Sequence, residues 1–321
     1  MLDILEVTFP FFALVLCGWV AARRRVLPLD AIGGLNMFVL YFALPCMLYR
    51  FGASTPIAQL LDPAAFAVWL PCALLMVAGA VAFSLNARIR WNDAAFGALV
   101  AAFPNTGFMG VPLLVALLGA QAAGPTILTI LIDMVVTSSV CIALSRLDAA
   151  GQHGAREAVK NALKGVAINP LPWAIVLGGA ASAAGFAPIK PVAATIGLLA
   201  DAASPVALFT IGAVLARSQV VGAAAEHGPL PARDFVPVAL AKLVIHPLLV
   251  LCVGTGAIAL GLPLDRFALT VMVLVAALPS ASNVSLLAER FGADTGRIAR
   301  IILLTTAAAF LTFSGAVSLL R

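Results

Sequence analysis

Asp133 is the residue on which ion chemistry is most readily built, because it stands as the lone acid inside TILTILIDMVVTSS, a run otherwise made of apolar and hydroxyl side chains. A charge in the hydrocarbon core costs about 2.5–3.5 kcal/mol on insertion scales, so it calls for a reason. Thr126, Thr129, Asp133 and Thr137 follow i, i+3, i+7 and i+11, which puts them on one helix face. A carboxylate in low dielectric titrates nearer neutrality unless a cation stands beside it, and hydroxyls around it suit a proton or a sodium ion. A structural ion pair or a helix-to-helix hydrogen bond is the plainer role for the same residue. Asp201 and Lys242 are further charges in apolar runs, of opposite sign. They are expected either to neutralise each other or to serve substrate recognition or a proton relay. His246 follows Lys242 by one turn and directly precedes Pro247, a setting that favours a satisfied interior imidazole over a relay.

The second chemical signal is a backbone one. AAFPNTGFMGVP, residues 101–112, sets Pro104, Pro112, Gly107 and Gly110 inside an apolar run long enough to cross a membrane. In hydrocarbon every N–H and C=O needs a partner, so a break of this kind must line a protein-enclosed cavity. Asn105 and Thr106 sit where the backbone opens. AALPSASN, residues 276–283, repeats the arrangement with Pro279, Ser280, Ser282 and Asn283. Two interrupted helices in corresponding halves mark a secondary transporter's midplane site. Asn36, which opens the second apolar run, either faces the same cavity or caps its helix.

These elements need a scaffold, and composition says which kind. Of 321 residues, 63% are hydrophobic and 10% charged, against about 25% charged in soluble domains. At about 20 apolar residues per span, the chain holds ten spans with short loops. They are placed near 4–22, 32–52, 64–86, 93–118, 122–146, 167–186, 191–216, 234–261, 267–289 and 298–319. Fourteen of the nineteen Lys and Arg, from Arg23 to Arg300, fall in alternate loops on one side. The other side has Arg50, Lys190, Arg266 and Arg321, so both termini are expected to face outward. The first run is read as a retained span rather than a cleaved leader, since its basic residues follow it. A net charge of +5 carries no interleaved aromatics and points away from nucleic acid. All five cysteines lie in apolar runs without metal-ligand spacing and read as small buried hydrophobes. No metal or cofactor is expected beyond a coupling proton or sodium ion.

VAAFP at 100–104 matches VAALP at 275–279, and LGAQAAG at 118–124 answers FGADTG at 291–296. The halves are therefore read as a first five-helix repeat over 1–147, a cytoplasmic loop over 148–165 and a second repeat over 166–321. With five spans each, they insert in opposite orientation. Asp133 then corresponds to Thr306, so the charge is in one half only.

The segments LNMFVLYFALP (35–45), FPNTGFMGVPLL (103–114), SPVALFTIGAVLA (204–216), KLVIHPL (242–248), LPSASNVSLLAERFG (278–292) and ILLTT (302–306), with Asp133, resemble the auxin efflux carrier family. The resemblance runs over nearly the whole chain. It implies an all-α polytopic fold of ten helices in two inverted repeats, like sodium/proton antiporters and bile acid symporters, with the fourth and ninth helices broken and crossed. It also implies a substrate carboxylate held near Asn105. The chain lacks the long loop of plant auxin exporters and looks like short bacterial members, which include malonate and malate carriers.

Half-helix N-termini present free N–H groups and positive dipole ends, which suit carboxylates. Asn105, Thr106, Gly107, Ser280, Ser282, Asn283 and Asn36 are the expected substrate residues, with Asp133, Thr129 and Thr137 for the coupling ion. The expected protein is a carrier of small organic anions in a bacterial inner membrane, with self-association into a homodimer left open. An ion channel is the rival that turnover would distinguish. An intramembrane aspartyl protease would need paired carboxylates and a GxGD signature, and neither Asp133 nor Asp201 carries one.

Overall fold

In a chain this apolar, prolines and glycines decide where helices stop, since little else competes for the backbone. The computed structural model describes residues 2–147, 160, 167–224 and 231–320. All regular structure among them is helical, and the only extended pairing is an isolated antiparallel bridge between Pro104 and Ser280. Of the expected loop 148–165, only Lys160 lies among the described residues. Among the described residues, seven stretches are long and apolar enough to cross a bilayer: Glu6–Arg23, Ala31–Ser54, Ile57–Ser84, Ala120–Leu144, Lys190–Arg217, Val236–Ala259 and Thr295–Leu320. Shorter apolar helices cover Thr106–Leu118, Pro170–Ala184 and Arg266–Ala276.

The chain forms two compact units, and each draws segments from both sequence halves. The first holds residues 1–63, 106–128 and 169–224, the second 64–105, 129–168 and 225–321. The chain therefore changes unit at the break after Asn105 and again inside a helix after Leu128.

The first unit contains α1 (Leu2–Arg23), α2 (Ala31–Phe38), α3 (Leu44–Ser54) and α4 (Ile57–Leu60). The second begins with α5 (Pro63–Ser84, whose first residue belongs to the first unit) and α6 (Trp91–Ala102). The chain returns to the first unit in α7 (Val111–Leu118) and enters α8 (Ala123–Ile132), which carries it back toward α9 (Ser138–Leu144). α10 (Pro170–Ala184) and α11 (Lys190–Ala224) complete the first unit. The second is completed by α12 (Val236–Leu240), α13 (His246–Ala259), α14 (Arg266–Ala277), α15 (Val284–Arg290) and α16 (Thr295–Leu320).

Widened π-turns join several of these pieces. Val39–Ala43, Thr106–Gly110 and Ala241–Ile245 each end just before Leu44-Pro45, Val111-Pro112 and His246-Pro247. Widening the turn keeps the proline ring off the carbonyl one turn back, so the helix continues past a residue that would otherwise break it. The fourth π-turn, Asp133–Thr137, has no proline, and there Ser138 Oγ donates to the Asp133 carbonyl at 2.8 Å.

Packing within the first unit depends on small residues, as expected where lipid gives no hydrophobic drive between helices. Gly18 on α1 lies on the Phe209 carbonyl of α11, and Gly212 on α11 lies on the Val15 carbonyl of α1. Gly52 on α3 meets Gly178 on α10, and Ser182 Oγ donates to the Thr55 carbonyl at 2.9 Å.

The second unit is stapled at one end by Arg297, which is only 2% exposed. Its Nε donates to the Asp234 carbonyl at 2.7 Å, one terminal nitrogen to the Asp93 carbonyl at 2.7 Å and the other to Ser84 Oγ at 3.3 Å. Gly97 leaves room for it, since a Cβ there would stand 2.5 Å from the guanidinium. Counted from sequence as a loop charge, Arg297 is instead an interior cross-link between the ends of α5, α6 and α16 and the turn before α12.

Gly212→Val is expected to destabilise the protein by at least the about 1–3 kcal/mol of an overpacked core, because its neighbour is backbone and cannot step aside. Gly315→Ala, where an added Cβ meets nothing within 4 Å, is the matched control. Thermal unfolding in detergent checks both, and equal midpoints for the two variants would refute the close approach.

Candidate functional site

Phe103 and Leu278 precede prolines and so take extended backbone, which ends α6 and α14. The freed groups then pair across the two breaks. Asn105 N donates to the Pro279 carbonyl at 2.8 Å, and Ala281 N donates to the Phe103 carbonyl at 3.0 Å. Pro104 and Ser280 face one another between these bonds. Thr305 Oγ1 accepts from Ser280 N at 3.3 Å. The breaks expected at Pro104 and Pro279 are thus one hydrogen-bonded feature of the second unit.

Two helix C-termini meet there, and carbonyls at a C-terminus carry partial negative charge. Lys242, fully buried in its π-turn, donates from Nζ to the Ala276 carbonyl at 2.6 Å. It also faces His246 Nδ1 at 3.2 Å. A lysine ammonium has no acceptor to offer, so Nδ1 accepts and the proton of a neutral imidazole sits on Nε2. That nitrogen is buried with no hydrogen-bond partner among the described residues. His246 is fully buried, with Lys242 Nζ on one ring nitrogen and Trp69 against its face.

The His246 ring lies against Trp69 of α5, with centroids 5.4 Å apart. Trp69 Nε1 donates to Asp133 Oδ1 at 3.1 Å, and Thr137 Oγ1 donates to the same oxygen at 3.0 Å. Asp133 and Lys242 are within electrostatic reach of each other. Asp133 Oδ2 is buried and has no hydrogen-bond partner among the described residues, as is true of Ser280 Oγ and Asn283 Oδ1. The second unit thus gathers Asp133, Lys242, His246 and the Pro104–Ser280 bridge, with unsatisfied acceptors and hydroxyls that could receive a ligand or an ion.

The other expected residues fall as follows. Thr129 is buried near the start of the second unit's share of this helix, while Thr126 belongs to the first unit and donates to the Ala122 carbonyl at 2.6 Å. Asn105 and Ser282 are buried in the second unit. Thr106, Gly107 and Asn36 belong to the first: Thr106 is buried, Asn36 is half-buried on α2, and Gly107 has open space where a Cβ would point. Pro112 opens α7.

One expected pairing is corrected. Asp201 does not neutralise Lys242: it pairs with Arg50 at 2.7 Å within the first unit, and both side chains are exposed, at 69% and 40%. Lys242 belongs to the second unit, where Ala276, His246 and Asp133 surround it. Spacing along the chain could not separate these partners, because Asp201 and Lys242 lie in different spans. Trp69 is the residue of this candidate site that the sequence did not point to. The available signal was its place mid-span, away from the membrane interfaces where tryptophans usually collect.

A family described as "Membrane transport protein" matches residues 3–317. A protein of Rhizobium meliloti described as "Putative malonate transporter" is 31% identical over 326 aligned residues, covering 100% of this chain and 97% of its own length. The "Uncharacterized transporter YfdV" of Escherichia coli K12 is 27% identical over 295 residues, covering 89% of this chain and 88% of its own length.

Lys242→Met is expected to cost about 1–3 kcal/mol, since it strands the buried Ala276 carbonyl and removes the cation within electrostatic reach of Asp133. Adding Asp133→Asn to it should recover part of that loss, since the stranded carboxylate is then gone. The check is a double-mutant cycle on unfolding in detergent, and additivity within about 0.5 kcal/mol would show the two groups to be independent.

Proposed function

Because the chain belongs to the membrane transport protein family, the auxin efflux carrier family that its motifs resemble, we propose that it is a secondary active carrier of small organic anions. It works by alternating access and is driven by a proton or sodium gradient. The observation that carries this reading is the bridge between the Pro104 and Pro279 breaks, with unpartnered Ser280 Oγ, Asn283 Oδ1 and Asp133 Oδ2 in the same unit. Broken helices with free polar side-chain atoms beside them serve a solute that must shed its water. The substrate is a mono- or dicarboxylate, with malonate first to be tried, in keeping with the name of the Rhizobium meliloti relative.

The fold that goes with this function is ten helices in two inverted repeats, over 1–147 and 166–321, with both termini outside the bacterial inner membrane. Two separately compact units, each built from both halves, supply the bodies that alternating access rearranges. Substrate residues are Asn105, Thr106, Gly107, Ser280, Ser282, Asn283 and Asn36, while Asp133, Thr129 and Thr137 serve the coupling ion. Labelling of single cysteines should place residues near Arg233 inside and both termini outside, and an inside N-terminus would remove the inverted orientation.

Proteoliposomes under imposed proton or sodium gradients test transport itself. Asn105→Ala should weaken malonate binding about tenfold or more, the worth of one hydrogen bond to a charged group. Asp133→Asn keeps shape and hydrogen bonding but not charge. It should bind malonate within about tenfold of the parent while losing accumulation against a gradient, one charge-assisted bond being at stake. A folded Asp133→Asn protein that still accumulates malonate would remove Asp133 from coupling, and an Asn105→Ala protein of unchanged affinity would put the carboxylate elsewhere.

A further inference from the structure

Away from the bridge, the second unit has a groove of about 260 Å³ lined by residues that include Arg266, Thr255, Thr270, Leu251, Val273 and Leu320. Three helices fix its direction. α14 rises from Arg266 toward the break after Ala277, so at 1.5 Å per residue Thr270 lies about 6 Å and Val273 about 10 Å beyond Arg266. On the neighbouring α13 the order is reversed, since Thr255 stands nearer that helix's far end than Leu251 does, and α16 contributes its last residue, Leu320, at the level of Arg266. The whole of α14 is about 18 Å long, close to half of a bilayer's hydrocarbon thickness of about 30 Å. Counted from a break at the bilayer midplane, where the proposed function puts it, that length brings Arg266 to headgroup level, with an apolar trough running inward from it.

The chemistry of the walls narrows the occupant. Arg266 is exposed and has no ion pair or hydrogen-bond acceptor for its guanidinium among the described residues. Its neighbour Asp265 is turned to its own helix, accepting from Ala268 N at 3.3 Å. Thr270 Oγ1 donates to the Arg266 carbonyl at 3.0 Å and Thr255 Oγ1 to the Leu251 carbonyl at 2.7 Å, so both hydroxyl protons are spent on backbone. Below Arg266 the trough thus has no free donor to hold a polar solute. Its volume is also below the about 300 Å³ at which compact-ligand sites begin. A cation at the interface above a narrow apolar trough is complementary to an amphiphile with an anionic head.

We propose that this groove is a specific site for one anionic phospholipid, its phosphate on the Arg266 guanidinium and an acyl chain along Thr270, Val273 and Leu251. Arginine suits a phosphate because its fork donates two parallel hydrogen bonds. The site is independent of the transported solute.

The test is native mass spectrometry of the delipidated full chain with phosphatidylglycerol and diacylglycerol of identical acyl chains, a pair that differs in the anionic phosphate. The protein should prefer phosphatidylglycerol by about tenfold or more, as one charge-assisted contact warrants. Arg266→Gln, at an exposed helix start, should abolish the preference and leave weak, equal binding of both lipids. Val273→Trp, which fills the trough, should weaken both; if it does not fold, Leu320→Trp at the mouth replaces it. Equal binding by the unaltered protein, a preference surviving in Arg266→Gln, or full competition by inorganic phosphate would each overturn the proposal.

Discussion

An amide or carbonyl left without a partner away from water costs several kcal/mol, and two proline breaks in one apolar unit create such groups in quantity. The second unit answers with reciprocal bonds, Asn105 N to the Pro279 carbonyl and Ala281 N to the Phe103 carbonyl. Neither break is tenable without the other. Once the two helix ends are brought together their carbonyls concentrate negative charge, and Lys242 relieves it at Ala276. A buried ammonium needs an anion in turn, and Asp133 is within reach. Asp133 is aimed by Trp69 and Thr137. The polar interior is therefore a consequence of breaking two helices, each residue answering a need created by the one before.

The parts of this chain that were legible in the sequence are those where one residue type has one physical consequence. Pro104 and Pro279 interrupt their helices because proline must, and the apolar runs around them are helical because hydrocarbon allows little else. Asp133 is buried as an acid within so apolar a run suggested. The unread parts depend on which faces of different helices meet. Arg297 follows Asp294 at the opening of a helix and looks like a loop charge, yet the packing of four chain segments encloses it. Asp201 and Lys242 invited pairing on sign alone, and Arg50 was the nearer partner of Asp201. Trp69 offered no periodic signal, because α5 is apolar on every side and its sequence does not say which face turns inward.

The repeat adds a further constraint. At the offset of VAAFP and VAALP, Val100 to Val275, Lys242 corresponds to Ala67, and at the offset of LGAQAAG and FGADTG, Gly119 to Gly292, Asp133 corresponds to Thr306. Each half contributes one charge where the other is neutral, and Thr306 satisfies itself by donating to the Ile302 carbonyl at 2.7 Å. The two breaks pair almost symmetrically through backbone, whereas the charged network beside them is asymmetric. Backbone pairing depends on proline and extended geometry, which both halves retain. A second acid or base beside the breaks would need its own buried counter-charge.

Two buried charges in the second unit can be compared directly, and the comparison separates holding from handling. Arg297 is bonded through all three guanidinium nitrogens, to two carbonyls and a hydroxyl, with the Asp93, Asp234 and Asp294 carboxylates nearby. Each of its three nitrogens is engaged within the unit, and its value lies in fixing helix ends. Asp133 is equally buried, yet both of its bonds fall on Oδ1, and Oδ2 has none among the described residues. A carboxylate oriented by one oxygen and unsatisfied on the other is stable enough to keep its place and costly enough to favour an incoming proton or cation. Burial alone marks both residues as exceptional. What separates the two is the unmade bond at Asp133 Oδ2, and the coupling role proposed for Asp133 rests on it.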